Sequence, residues 1–423
     1  MKIIDAVFAT SEKIARAQMA IDPQTGLISD FGDLGVPQAQ VEFFSDDCLA
    51  FAGMGDIHIH AREDVSGQHL HKEDFLTATA AALNGGVTHV ADMPNNPIPP
   101  IDETTYRAKL ALTDRAPVSI LLYGGIGPDT HPLQKKVPYK VYMGPSIGEL
   151  FFENDQQLED ALKRYQGQHV SFHCEDPVEM KRHQHAPHHH LKRPSSCEIM
   201  ATRTALRLIE KFKLKGKLCH YSAGEGLPLI REARNRGVSV QCEVTPQHLY
   251  FSQDQLQLKD KVLFQMNPPI REMSDRDAML AAARVGDIDF LATDHAPHTA
   301  EEKARGTSGL TGLDSYGAFV TWLLVEKGFT PQRVALMCAE NPGRFVNQFI
   351  PGMGEWSPRF KRYGSGFGFC AKGFMGNVTV LNLKRPMKLT TEHLKTKVKH
   401  NPFVGVTFPG SVEQVFLAGF KQR

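Results

Sequence analysis

The stretch Asp56-Ile57-His58-Ile59-His60-Ala61-Arg62 closes an apolar run that opens at Leu49. Residues two apart on a strand project to the same face, so His58 and His60 would present two imidazoles side by side, and imidazole nitrogen is a good ligand for zinc and related ions. An isolated His-x-His pair serves packing more often than metal binding, so its surroundings decide. Seven further short apolar or β-branched runs follow, at 87–93, 118–124, 139–143, 169–173, 217–221, 238–244 and 288–294. Helical patterns lie between them: 71–84 ends at Gly85-Gly86, a C-cap signal, and a helix starting at Pro194-Ser195 runs toward Phe212. Strands alternating with helices indicate βα units around a parallel sheet. Eight strands point to a closed (β/α)8 TIM-type barrel over residues 51–345.

The active site of such a barrel lies at the C-terminal ends of its strands, where residues far apart in sequence converge. Lys140, His173, His220 and Asp294 all fall at predicted strand ends. Singly, each histidine reads as a core or loop residue, Asp294 as a turn or cap, and Lys140 as a solvated lysine. Together with His58 and His60, the imidazoles and the carboxylate predict a metal site.

At 423 residues the chain exceeds the roughly 250–300 at which one core stops growing, so a smaller second unit is expected. Residues 1–50 and 346–423 break the alternation. A hairpin at 15–28 around Asp22-Pro23-Gln24-Thr25-Gly26, with strand-like 377–383 and 414–419, predicts a small β-sandwich built from both termini. Residues 351–372 read as an irregular connection and 304–312 as a loop. A net charge of +1 gives no footprint for nucleic acid or an anionic membrane. The seven cysteines are odd in number and lack CxxC pairing, which suits reduced thiols. Neither a signal-peptide apolar core nor a membrane-spanning run is found, and a cytoplasmic location is expected.

The ordered set of HxHxR, a lysine at the fourth strand, histidines at the fifth and sixth and an aspartate at the eighth resembles the amidohydrolase superfamily, and within it the dihydroorotases. Narrower features are Met93-Pro94-Asn95-Asn96, His173-Cys174-Glu175-Asp176, Asn267-Pro268-Pro269-Ile270-Arg271 and Ala292-Thr293-Asp294-His295-Ala296-Pro297-His298. The resemblance implies two zinc ions, one held by His58, His60 and Asp294 and the other by His173 and His220. Lys140, carboxylated to a carbamate, would bridge them. It makes Asp294 the general base and acid, and Arg62, Asn95 and His298 the carboxylate-binding set, with Asn267 near a pyrimidine ring. Arginine suits that task because its planar fork pairs with a carboxylate bidentately. The implied activity is the reversible, zinc-dependent interconversion of N-carbamoyl-L-aspartate and L-dihydroorotate in pyrimidine biosynthesis, with a small-molecule substrate. A homodimer and an aspartate transcarbamoylase partner both stay open.

Two readings compete. An allantoinase- or hydantoinase-type enzyme would share the metals, but its neutral ring would leave Arg62, Asn95 and His298 without a carboxylate. A non-catalytic scaffold barrel would be expected to lose ligands, and here all six positions are filled. The tract His183-Gln184-His185-Ala186-Pro187-His188-His189-His190 is the densest histidine cluster, yet it lacks an acidic or thiol partner and contains a proline, so it reads as a loop. The segment Gly144 to Leu150, with two glycines, is the expected mobile element over the site. The turn Gly373-Phe374-Met375-Gly376-Asn377 and the loop Ser308 to Asp314 match the family only loosely.

Overall fold

Three strands open the chain, β1 Lys2–Ala9, β2 Ile14–Ile21 and β3 Ile28–Gly32, and β2 and β3 form the expected hairpin, with Gly26 left-handed at φ 72°. The structure is a computed structural model that describes residues 1–144 and 150–422, so the segment Gly144 to Leu150 lies largely outside the described residues.

The apolar run 49–60 is two strands, not one: β4 Cys48–Ala52 and β5 Met54–Ile59. Gly53 separates them. A Cβ there would sit 2.3 Å from Thr88 Oγ1 and 2.7 Å from Asn377 Cβ, so only glycine lets the chain pass from one sheet to the other at this point. The barrel continues through β6 Val87–Asp92, β7 Ser119–Leu122, β8 Tyr139–Tyr142, β9 His169–His173, β10 Lys215–Leu218, β11 Val240–Val244 and β12 Phe290–Leu291.

Neighbouring barrel strands pair in parallel: β5–β6–β7 in one run and β8 through β12 in another. The chain of β7 runs on into Gly124–Gly125, which pairs with β8. A parallel bridge between Ile59 and His295 joins the eighth strand's end to the first, and the His60 N–H donates to the His295 carbonyl at 2.7 Å. Seven helices follow individual strands: α1 Phe75–Asn84, α2 Glu103–Leu112, α3 Asp155–Leu162, α4 Ser195–Lys211, α5 Leu227–Asn235, α6 Met273–Val285 and α7 Tyr316–Val325. The first starts at Phe75, later than 71, because Asp74 caps it by accepting from the Thr77 N–H. The connection from β7 to β8 contains no helix. The histidine tract is not all loop: His189–Lys192 form one helical turn.

Two more strands, β13 Val378–Asn382 and β14 Ser411–Leu417, join the N-terminal ones in an eight-stranded sheet, so both ends of the chain build one β-region. In it β14, β13, β4, β1, β2 and β3 lie side by side in that order. Alternation along β4 places Leu49 and Phe51 in the barrel-side core and Cys48 and Ala50 in a second core with Ile4, Met19, Val380 and Phe416. All seven cysteines are free thiols. No helix among the described residues is long and apolar enough to cross a membrane.

Candidate active site

The ends of six barrel strands supply the side chains around one cavity of about 300 Å³, lined among others by His58, His60, Arg62, Asn95, Lys140, His173, His220, Asn267 and Asp294. His58 Nε2 and His60 Nε2 lie 3.2 and 3.0 Å from Asp294 Oδ1. The other ring nitrogens are engaged from outside. His58 Nδ1 is 2.6 Å from Glu243 Oε1, and His60 Nδ1 is 2.6 Å from Asn95 Oδ1. Such outer partners fix the tautomer and aim the inner nitrogen of each ring at a common point. His173 is held the same way, with Nε2 at 2.8 Å from Glu175 Oε2 and Nδ1 facing His220 Nε2 at 2.9 Å.

Electrostatics agree with that geometry. Burial pulls the His58 imidazole down, but Glu243 and Asp294 outweigh it and raise its pKa to about 9, so this corner favours positive charge. Burial alone would push Asp294 up, yet His58 and His60 hold it below the ordinary carboxylate value, and it is ionised at neutral pH. Lys140 is fully buried, and its Nζ has no hydrogen-bond partner among the described residues, with the Tyr142 ring centroid 5.3 Å away. His220 Nδ1 is likewise buried without a partner. Inward-facing imidazoles and one carboxylate form a donor set that fits a metal ion, with the Lys140 amine beside them; the ligand atoms of His58, His60 and Asp294 all lie within 4.8 Å of one another.

Three of these residues share a conformation rare for side-chain-bearing residues. Arg62, His220 and Asp294 have φ of 64°, 38° and 49°. Strain of this kind costs about 1–3 kcal/mol each and concentrates where side chains must be aimed. The turn at Arg62 brings its guanidinium to the cavity, where Nε donates to the Pro297 carbonyl and Nη2 to His298 Nε2, both at 3.2 Å. Burial and Arg62 hold the His298 imidazole down at about 3, so it accepts as a neutral ring, while Glu302 anchors its Nδ1 at 3.0 Å. Of the two buried arginines among the described residues, Arg271 pairs with Glu198, whereas Arg62 has no carboxylate partner.

The amidohydrolase family model matches residues 49–348. The chain belongs to the amidohydrolase family. Its similarity to dihydroorotase of Pyrococcus abyssi is 30% identity over 381 residues, 88% of this chain and 82% of that one. Dihydroorotase of Shouchella clausii is also 30% identical, over 89% of this chain and 88% of its own. The fold is similar to L-hydantoinase from Arthrobacter aurescens, with a TM-score of 0.85 at 20% identity over 99% of this chain and 95% of that one, and to a D-hydantoinase with a TM-score of 0.82 at 21% over 99% and 94%.

Membership and donor set together mark this amidohydrolase as a metal-dependent hydrolase of cyclic amides. All ten residues singled out from the sequence are at or beside the cavity; Asn95, read for substrate, also orients His60. Sequence reading missed Glu243, Glu175 and Tyr142. The Tyr142 hydroxyl is buried on the cavity wall without a partner among the described residues. Glu243 accepts from His58, from the His220 backbone N–H at 3.0 Å and from Lys217, so one carboxylate sets two candidate metal-donor residues. Run 238–244 alternates apolar and polar positions, with Ser239, Gln241 and Glu243 at the polar ones, so nothing in the sequence set Glu243 apart. Glu243→Gln should weaken metal binding by about 10- to 100-fold, read by competition with a chromogenic chelator. Unchanged affinity would remove Glu243 from this role.

Proposed function

We propose that this amidohydrolase is a dihydroorotase, interconverting N-carbamoyl-L-aspartate and L-dihydroorotate. The observation that carries the reading is Arg62: a buried guanidinium without an anionic partner among the described residues, beside His298 and on the same cavity as the candidate metal donors. A buried unpaired charge is costly, and a substrate carboxylate would complete it with charge-assisted bonds. Hydantoin and allantoin offer no such group.

His58, His60 and Asp294 would hold one zinc ion and His173 and His220 the other, with Lys140 as a carbamate between them. Carboxylation converts an unpartnered cation into an anion suited to the space between two ions. When bound, the pair would supply an activated water at neutral pH and polarise the ring carbonyl. Asp294 would accept the water's proton as the carbonyl is attacked and pass it to the ring nitrogen as the C–N bond breaks. Arg62 and His298 would hold the carboxylate, Asn95 would steady His60 and meet the same carboxylate, and Asn267, whose Oδ1 is buried without a partner, would accept from a ring N–H. Free, largely buried thiols suit a cytoplasmic protein.

The test is turnover by the purified, zinc-supplemented protein on L-dihydroorotate beside hydantoin, allantoin and dihydrouracil. Selective opening of dihydroorotate is expected. Preference for a neutral ring would overturn the substrate assignment, and no turnover with metal bound would bring the scaffold reading forward.

A further inference from the structure

Beneath the carboxylate corner lies an ion pair that touches neither metal donors' side chains nor cavity. Lys109 on α2 and Asp92 at the end of β6 are each 1% exposed, with Nζ 2.6 Å from Asp92 Oδ2. Their remaining bonds lead to two different loops. Asp92 Oδ1 accepts from the Ala61 N–H at 2.7 Å, in the peptide chain between His60 and the left-handed Arg62. Lys109 Nζ donates to the Met93 carbonyl at 3.3 Å and to Asn96 Oδ1, on either side of Asn95. One buried pair therefore fastens the Arg62 turn after β5 to the Asn95 loop after β6.

A buried ion pair is weak evidence for stability, because desolvating two charges offsets their attraction, and it is better explained by the geometry it specifies. Here that geometry is the separation of Arg62 from Asn95. A bidentate carboxylate contact tolerates little error in such a distance, since misplacement by about 1 Å can cost about 100-fold.

We infer that Lys109 and Asp92 are positioning residues for recognition of the substrate carboxylate, holding Arg62 and Asn95 at the spacing an acidic ring requires. The inference rests on the function proposed above, and the experiment separates the two. The ratio of kcat/KM for L-dihydroorotate to that for its methyl ester is measured for the zinc-loaded wild type, for the charge-free double variant Asp92→Asn with Lys109→Met, for Lys109→Arg and for Asn96→Ala. Wild type should prefer the acid. In the double variant the ratio should fall at least tenfold, mainly through KM for the acid, with bound zinc retained. Lys109→Arg, which keeps the ion pair, should stay within twofold, and Asn96→Ala, which removes one of the two Lys109 ties to the Asn95 loop, should lose about fivefold. An unchanged ratio in both the double variant and Asn96→Ala overturns the inference, and so does loss of zinc alongside the ratio. If the double variant does not fold, Asn96→Ala against Lys109→Arg decides. A wild type that opens acid and ester equally overturns the carboxylate reading, and one that opens neither overturns both.

Discussion

Asp294→Asn is expected to lower kcat by at least about 10³-fold, toward the upper end of what a positioned acid–base group contributes, while the fold persists. Asparagine is the informative replacement for a backbone reason. Asp294 sits at φ 49°, a region that asparagine tolerates and alanine does not, so the variant keeps the strained turn and removes the negative charge. The carboxylate is ionised and within 3.2 Å of both His58 and His60, so the amide also lowers the charge available to a cation there. Activity is read under saturating zinc to separate proton transfer from metal loss. Turnover within tenfold of wild type would remove Asp294 from the proton-transfer role.

Lys140→Met should move activity and stability in opposite directions. Turnover should fall below detection, at least about 10³-fold, with metal bound at reduced stoichiometry, because the carbamate proposed above could not form. The metal-free variant should nevertheless be the more stable protein. Lys140 Nζ is buried with no hydrogen-bond partner among the described residues, and an unsatisfied buried charged group costs more than about 1–3 kcal/mol. Its contact with the Tyr142 ring, whose centroid is 5.3 Å away, returns only about 2 kcal/mol of this. Methionine fills similar volume without the charge. Comparing urea midpoints of the two chelated proteins checks this. A less stable variant that still bound two metals would show that Lys140 acts as an ordinary packed lysine.

The barrel was legible because parallel strands buried on both faces read as apolar runs, and the reactive groups at their ends interrupt those runs visibly. His58, His173, His220 and Asp294 each break an apolar pattern. Residues that act through other residues leave no such mark. Glu175 was quoted only as part of a motif, and Glu243 matters only because β10 and β11 bring it against His58 and the His220 N–H. The division of 49–60 into two strands was hidden because both halves are apolar; Gly53 becomes meaningful only once Thr88 and Asn377 are seen to crowd it. The Lys109–Asp92 pair was equally invisible: Asp92 interrupts run 87–93 much as Asp294 does its own, but nothing in the sequence says that its partner is Lys109 on the following helix.

Strand β4 lies between β1, from the start of the chain, and β13, from near its end, and it leads directly into the first barrel strand. During synthesis, one edge of β4 stays unpaired until residues 378–382 have left the ribosome, although the strand itself, at 48–52, is made long before them. Pairings between segments so far apart close slowly, and an apolar strand with an open edge is prone to pair with another chain meanwhile. Chains stalled or truncated before β13 would carry a complete set of site residues and still present that open edge.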